Sequence, residues 1–354
     1  MRKKVLMVAF SAALVASLIL VGCAPEKAPS EEGVPGTHEE KPTYHWRAAS
    51  NDPEGQDTVQ SLYAFSEDVL QASDGRIVID VYHSGVLGDW VAVQEEVMRG
   101  TIELSLTCLT GKWDPRLEAP LLPYLVSTHE EVAKGFQPGS KLLEVFDKCA
   151  DDTNLRLVCG WDMGFNGFAF SKLPPNYGDV DADKNCKMRI AASHMREIMA
   201  KRFGYTPVVL PWADCFQAMQ TGLVDGVIGG PINSSYEHFR DVMTDWVQMN
   251  EVYQAYFYIM PRDLWNSLSD EDRGIIQDCA NKQSTLSFTR GKERDEEYLQ
   301  KMVDYGVNVI YLTPEELAGY VAATQNDIWP ELGDRYGAAV MDAIRAYVGE
   351  IRGA

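Results

Sequence analysis

The sequence lacks the short motifs that mark common catalytic and nucleotide sites. No HExxH, GxSxG, P-loop or GxGxxG pattern occurs in its 354 residues. The six histidines are scattered, with none paired at metal-ligand spacing. A triad assembled from distant residues would leave no such signature, yet the prior for an enzyme falls. Positive charge is scarce: 32 Lys and Arg face 52 Asp and Glu, a net charge of −20. That argues against a nucleic-acid binder, which needs a basic footprint, and against a polybasic membrane-surface protein. Cysteine is sparse and never spaced as CxxC. Beyond residue 22 no apolar run approaches the ~20 residues that cross a bilayer.

The beginning of the chain is the exception. Arg2, Lys3 and Lys4 precede an apolar stretch from Val5 to Val21, interrupted only by Ser11 and Ser17. This is the layout of an export signal. Leu20-Val21-Gly22-Cys23 is similar to a bacterial lipobox, which implies cleavage before Cys23 and a lipid on its thiol. Loss of residues 1–22 removes three positive charges and takes the net charge from −20 to −23. Residues 23–43 are rich in Pro, Glu, Gly and Ser and read as a disordered tether. Six further cysteines remain: Cys108, Cys149, Cys159, Cys186, Cys215 and Cys279. An exported chain permits disulfides, but these residues mostly sit in apolar runs and read as free buried thiols.

The body of the chain alternates strand and helix patterns. Trp46–Ser50 is a short strand. Val59, Leu62, Phe65, Val69 and Leu70 form a helical stripe over 58–71. Ile77, Ile79 and Val81 alternate as a strand, 92–99 is helical up to Gly100, and Ile102, Leu104 and Leu106 alternate again. Ser127–Glu130 reads as a capping box. A helix over 141–150 leads into a strand over 155–160. A second set follows: strand 187–191, a helix capped by Ser193 and closed by Gly204, strand 207–210, helix 213–221 and strand 224–228. Strands separated by helices imply βαβ units and a mainly parallel sheet. From Ser269 a helical pattern runs beyond thirty residues, far above the usual globular length. It reads as one helix spanning two domains, or as two helices broken near Gly291. Thr313-Pro314-Glu315-Glu316 then opens another helix with a capping box. Two α/β lobes create a cleft, a usual place for a small ligand.

Three segments carry a more specific resemblance: residues 84–106 (SGVLGDWVAVQEEVMRGTIELSL), 187–231 (KMRIAASHMREIMAKRFGYTPVVLPWADCFQAMQTGLVDGVIGGP) and 264–280 (LWNSLSDEDRGIIQDCA). They resemble the substrate-binding proteins of tripartite ATP-independent periplasmic (TRAP) transporters, over roughly residues 44–350. The resemblance implies a two-lobed α/β periplasmic-binding-protein fold with a long helix spanning both domains. Domain I would take 44–163 plus 251–293, and domain II 164–250 plus 294–354. It further implies closure on an organic acid, delivery to TRAP permease membrane subunits, and no cofactor or metal.

On the same resemblance Arg189 is the carboxylate-binding arginine. A guanidinium suits that role because it offers two parallel N–H donors and stays charged. Trp212 would be an aromatic wall for the ligand. Asn51, at the end of the first strand, and Thr107 and Cys108, at the end of the strand before them, would face the cleft. Two positions depart from the family. Asn166 stands where a second Arg is common, and Ile228-Gly229 replace the usual Glu-Asn pair after Val-Asp-Gly. Both changes point to a less charged pocket and a ligand with one carboxylate. Three other classes remain: a binding protein of an ATP-driven importer, a sensory module, and an extracellular enzyme using Asp214 or Asp225 near Arg189.

Overall fold

The structure is a computed structural model that describes residues 41–352. The export signal, Cys23 and all but the last three tether residues lie outside the described residues. The strands are β1 (Tyr44–Ala49), β2 (Ile77–Tyr82), β3 (Leu104–Thr107), β4 (Leu155–Phe170), β5 (Lys187–Ile190), β6 (Thr206–Val209), β7 (Gly226–Pro231), β8 (Asp245–Gln248), β9 (Tyr253–Pro261) and β10 (Asn308–Tyr311). They form one sheet path in the order β2-β1-β3-β9-β4-β7-β5-β6, with β8 joined to β4 and β10.

The expected mainly parallel sheet is mixed. Pairs β1–β2, β1–β3, β5–β6, β5–β7 and β8–β10 are parallel. Pairs β3–β9, β4–β9, β4–β7 and β4–β8 are antiparallel. The difference comes from β4 and β9, which run through the middle of the path against their neighbours. The sequence reading ended the first of these near Gly160 and assigned no strand to the second. In fact β4 continues for 16 residues and is buried almost throughout. A strand covered on both faces shows a continuous apolar run rather than alternation, so its end is invisible to a period-two reading. The first part of β4 pairs with β9 as far as Phe165; from Asn166 onward it pairs with β7 and β8. β4 thus carries the chain from one half of the sheet into the other.

Most elements fall within a residue or two of their sequence patterns. The stripe of the first helix, now Asp57–Ala72, buries Val59, Leu62, Phe65 and Val69, while Leu70 stays exposed. The capping box near residue 128 is shifted by one: Thr128 accepts from the Glu131 amide, and Glu131 accepts from the Ser127 amide at 2.6 Å. The Thr313–Glu316 box is present as expected.

The long pattern is a single helix, Asp270–Tyr305, of 36 residues, about 54 Å at 1.5 Å per residue. Gly291 does not break it. A Cβ at that position would collide with the Asp162 carboxylate on β4, so the glycine marks a close approach of helix to sheet. Ser284 Oγ donates to the Gly160 carbonyl at 2.5 Å, Ser287 Oγ accepts from the Asp162 amide at 3.0 Å, and Arg294 Nη1 donates to the Asp162 carbonyl at 2.6 Å. The helix is therefore fastened along β4, where the chain passes between the two halves of the sheet.

Candidate functional site

The site is built at the C-terminal ends of parallel strands, the usual ligand position in open α/β sheets. On β5, Met188 and Ile190 are fully buried in the core, and Arg189 between them points the other way because side chains alternate along a strand. Arg189 is nonetheless only 4% exposed. Its Nε donates to the Leu210 carbonyl at 2.9 Å, and the Trp212 ring lies over the guanidinium with 5.3 Å to the centroid. Among the described residues no carboxylate pairs with it, and its two terminal nitrogens make no hydrogen bond to protein. Burial brings its pKa down to about 10, still charged at neutral pH. A buried cation without a counter-ion costs several kcal/mol, so this arrangement suits an anion from outside the chain.

Trp212 is partly buried and packs against Phe239 (4.8 Å between centroids) and His238 (5.4 Å). It sits close above Gly230, where a Cβ would strike the indole. The indole thus orients Arg189 as well as walling the site. His238 Nδ1 donates to the Ser234 carbonyl at 2.8 Å.

A second guanidinium was not singled out by the sequence reading. Arg196 lies in the first turn of the helix His194–Arg202, capped by Ser193, and is 4% exposed. A cation there opposes the positive end of the helix dipole. That misfit, an Arg at the third position after an N-cap serine, was the available signal. Arg196 Nη2 donates to Gln254 Oε1 at 3.1 Å, and Asn166 Nδ2 donates to the same oxygen at 3.3 Å. Arg196 Nη1 and Asn166 Oδ1 are buried without partners. Gly229, with φ at 98°, leaves the room that the Arg196 guanidinium fills, since a Cβ there would collide with it.

Arg196 places a second guanidinium beside Asn166. Burial lowers the pKa of Arg196, and the nearby Glu251 carboxylate opposes that. Glu251, at the entry to β9, is completely buried, and neither of its oxygens has a partner. Burial pushes its pKa up to about 7 despite Arg196.

The remaining sequence candidates lie on the other half of the sheet. Asn51 donates from Nδ2 to the Gly88 carbonyl at 2.8 Å, tying down the turn before the next helix, and its Oδ1 is buried without a partner. Thr107 ends β3 opposite Phe257 on β9. Cys108 follows it, with a thiol pushed up to about 12 by burial against the opposing influence of Arg196. Trp212 lies over Arg189, while Asn166 shares Gln254 Oε1 with Arg196 and Gly229 packs against the Arg196 guanidinium. Two surface cavities, of about 180 Å³ beside Ser61 and Arg290 and about 190 Å³ beside Tyr124 and Tyr311, do not include Arg189.

Arg189 thus presents a buried guanidinium, held at Nε, whose terminal nitrogens have no protein partner among the described residues. Residues 48–332 match the model of the bacterial extracellular solute-binding protein family 7, DctP, and the chain belongs to that family. It is 25% identical over 293 residues to the C4-dicarboxylate-binding periplasmic protein of Rhodobacter capsulatus, covering 81% of this chain and 85% of that one. Two solved TRAP periplasmic solute-binding proteins share the fold, each with a TM-score of 0.79. The one from Ochrobactrum anthropi, with its C-terminus bound in the ligand pocket, is 23% identical and covers 89% of this chain and 97% of its own. The one from Desulfovibrio salexigens, with bound orotic acid, is 19% identical and covers 88% and 99%. The relatives named here are solute-binding proteins, and the chain is a member of a bacterial extracellular solute-binding family. No helix among the described residues is long and apolar enough to cross a membrane.

Proposed function

We propose that this protein closes on an organic acid carrying one carboxylate and delivers it to an ion-gradient-driven TRAP permease. Arg189 grips the carboxylate, and Trp212 holds the guanidinium flat and walls the ligand body. Asn166, Asn51, Thr107, Cys108 and Gly229 line the rest of the pocket. The two lobes are 44–163 plus 251–293 and 164–250 plus 294–354, and β4 and β9 are the hinge strands between them. Closure is a population shift driven by contacts to both lobes. Cys23 carries the lipid that anchors the receptor at the membrane face, with residues 24–43 as its tether.

The observation that carries this reading is the buried Arg189 guanidinium, engaged at Nε by Leu210 and free of any acidic partner among the described residues. The test is calorimetric titration against a panel of mono- and dicarboxylates, after a thermal-shift screen for ligands that raise stability. Binding of a monocarboxylate by the wild type and its loss in Arg189→Ala, with the fold intact by circular dichroism, is the expected result. Unchanged affinity in that variant would remove Arg189 from the site. A binding protein for an ATP-driven importer or a sensory module would use the same pocket; finding genes for a two-part permease beside this one would decide for the TRAP assignment.

A further inference from the structure

Arg196 is placed at a cost on three counts. It is buried, it lies at the wrong end of a helix dipole, and one of its guanidinium nitrogens has no partner. Three ionisable side chains influence it: Glu251, Cys108 and Glu118. Glu118 packs against Gly111 and, unlike Glu251, has no buried orphan oxygen. Both oxygens of Glu251 are buried and unbonded, and no ion pair within 4.0 Å joins it to Arg196. Tyr124 is the other titratable group facing Glu251. Buried polar atoms are almost always paired, so each orphan needs an explanation. Four orphan atoms lie on three residues, Arg196 Nη1, Asn166 Oδ1 and the two oxygens of Glu251, and the Asn166 backbone bonds to Asn250 (3.1 Å) and Val252 (2.9 Å) on either side of Glu251. Arg196 and Asn166 already share Gln254 Oε1.

We propose that Arg196, Asn166 and Glu251 form a second subsite that sets the charge of the ligand: Arg196 Nη1 and Asn166 Oδ1 bind an uncharged hydrogen-bonding group such as a hydroxyl, while Glu251 cancels the charge of Arg196. The pocket then carries one net positive charge, on Arg189, and accepts one carboxylate. A ligand with a second carboxylate would meet Arg196 already neutralised and Glu251 repelling it. This inference rests on the carboxylate-receptor reading above.

The test is calorimetry of the full chain with phenylacetate, mandelate, which adds a hydroxyl, and succinate. In the wild type, mandelate binds more tightly than phenylacetate, and succinate at least tenfold more weakly than either. Glu251→Gln keeps the shape but removes the charge, and it tightens succinate at least tenfold relative to phenylacetate. Adding Arg196→Met to Glu251→Gln abolishes the gain for succinate and the preference for mandelate, while a melting curve confirms that each variant folds. If the wild type binds monocarboxylates but Glu251→Gln leaves the succinate ratio unchanged, the second subsite is wrong and the receptor reading stands. Tight succinate binding by the wild type also overturns it. If no acid binds, both readings fall.

Discussion

Replacing Gly291 by alanine sets two effects of opposite sign against each other. In an exposed helix, Gly→Ala stabilises by about 1 kcal/mol, because glycine has more backbone freedom to lose on folding. Gly291 is buried in the middle of the 36-residue helix, and a Cβ there would run into Asp162. Asp162 cannot yield easily. It is 1% exposed, its Oδ1 accepts from the Gly164 amide at 2.9 Å, and it lies 3.5 Å from Arg294 Nη2. Arg294 is itself buried and shared with Asp295 at 3.1 Å. Disrupting a buried charge pair of this kind costs about 3–5 kcal/mol. Gly291→Ala therefore destabilises by about 2–4 kcal/mol net. Gly274 in the same helix is exposed with nothing near its missing Cβ, so Gly274→Ala stabilises by up to about 1 kcal/mol. Urea unfolding followed by circular dichroism reads both. If Gly291→Ala is as stable as the wild type, the helix does not press on Asp162 and the account of why Gly291 is there is wrong.

Arg189→Lys weakens ligand binding by about 10- to 100-fold in calorimetry, because an ammonium loses both the fork and the stacking under Trp212; affinity within twofold of wild type contradicts that geometry. Burial raises the Glu251 carboxyl from its ordinary 4.5 to about 7, so the folded state holds its proton more tightly than the unfolded state. Its contribution favours folding at low pH and is lost as pH rises from about 4.5 through 7, on the order of 3 kcal/mol. Glu251→Gln flattens that slope in denaturant midpoints measured from pH 5 to 8, and an unaltered profile assigns the slope elsewhere. Cys108, Cys149, Cys159, Cys186, Cys215 and Cys279 are unpaired, five of them buried, and burial raises every one of these thiols. They resist a thiol reagent in the native protein at pH 8 and all react in guanidinium; rapid labelling of several in the native state refutes this.

Where the sequence was legible, a local pattern sufficed. The Val59–Val69 stripe, the Thr313–Glu316 box and the Ser269-capped long helix each depend on residues a few positions apart, and each appears in the structure. The strands β4 and β9 were hidden because burial on both faces erases alternation. Arg189 was legible only through a motif, since a lone arginine on a strand has many ordinary explanations. Arg196, Glu251 and Gln254 were not legible as a group. They lie on the helix after β5 and around the start of β9, more than fifty residues apart, and only the sheet brings them together. Asn166 was found for its departure from the family, but its neighbour across the pocket, which restores a guanidinium there, was not. The charge of a site assembled from distant segments cannot be counted from one segment.

The global charge bears on how a ligand arrives. At −20 for the whole chain, the protein repels an anion at long range, whereas Arg189 attracts it only at contact. Salt screens the first effect much more than the second, because the Debye length is about 8 Å at physiological ionic strength and a buried pair is hardly screened. Association of a carboxylate should therefore speed up as ionic strength rises from 10 to 150 mM, the reverse of an electrostatically steered receptor. Dissociation from the buried Arg189 should change little. Stopped-flow tryptophan fluorescence, with Trp212 over the guanidinium as the reporter, separates the two rates. The gain is modest, on the order of a few-fold, since one unit charge is being screened. An association rate that falls as salt rises would mean that a positive field at the mouth of the cleft outweighs the acidic body, and that recognition begins outside the pocket rather than at Arg189.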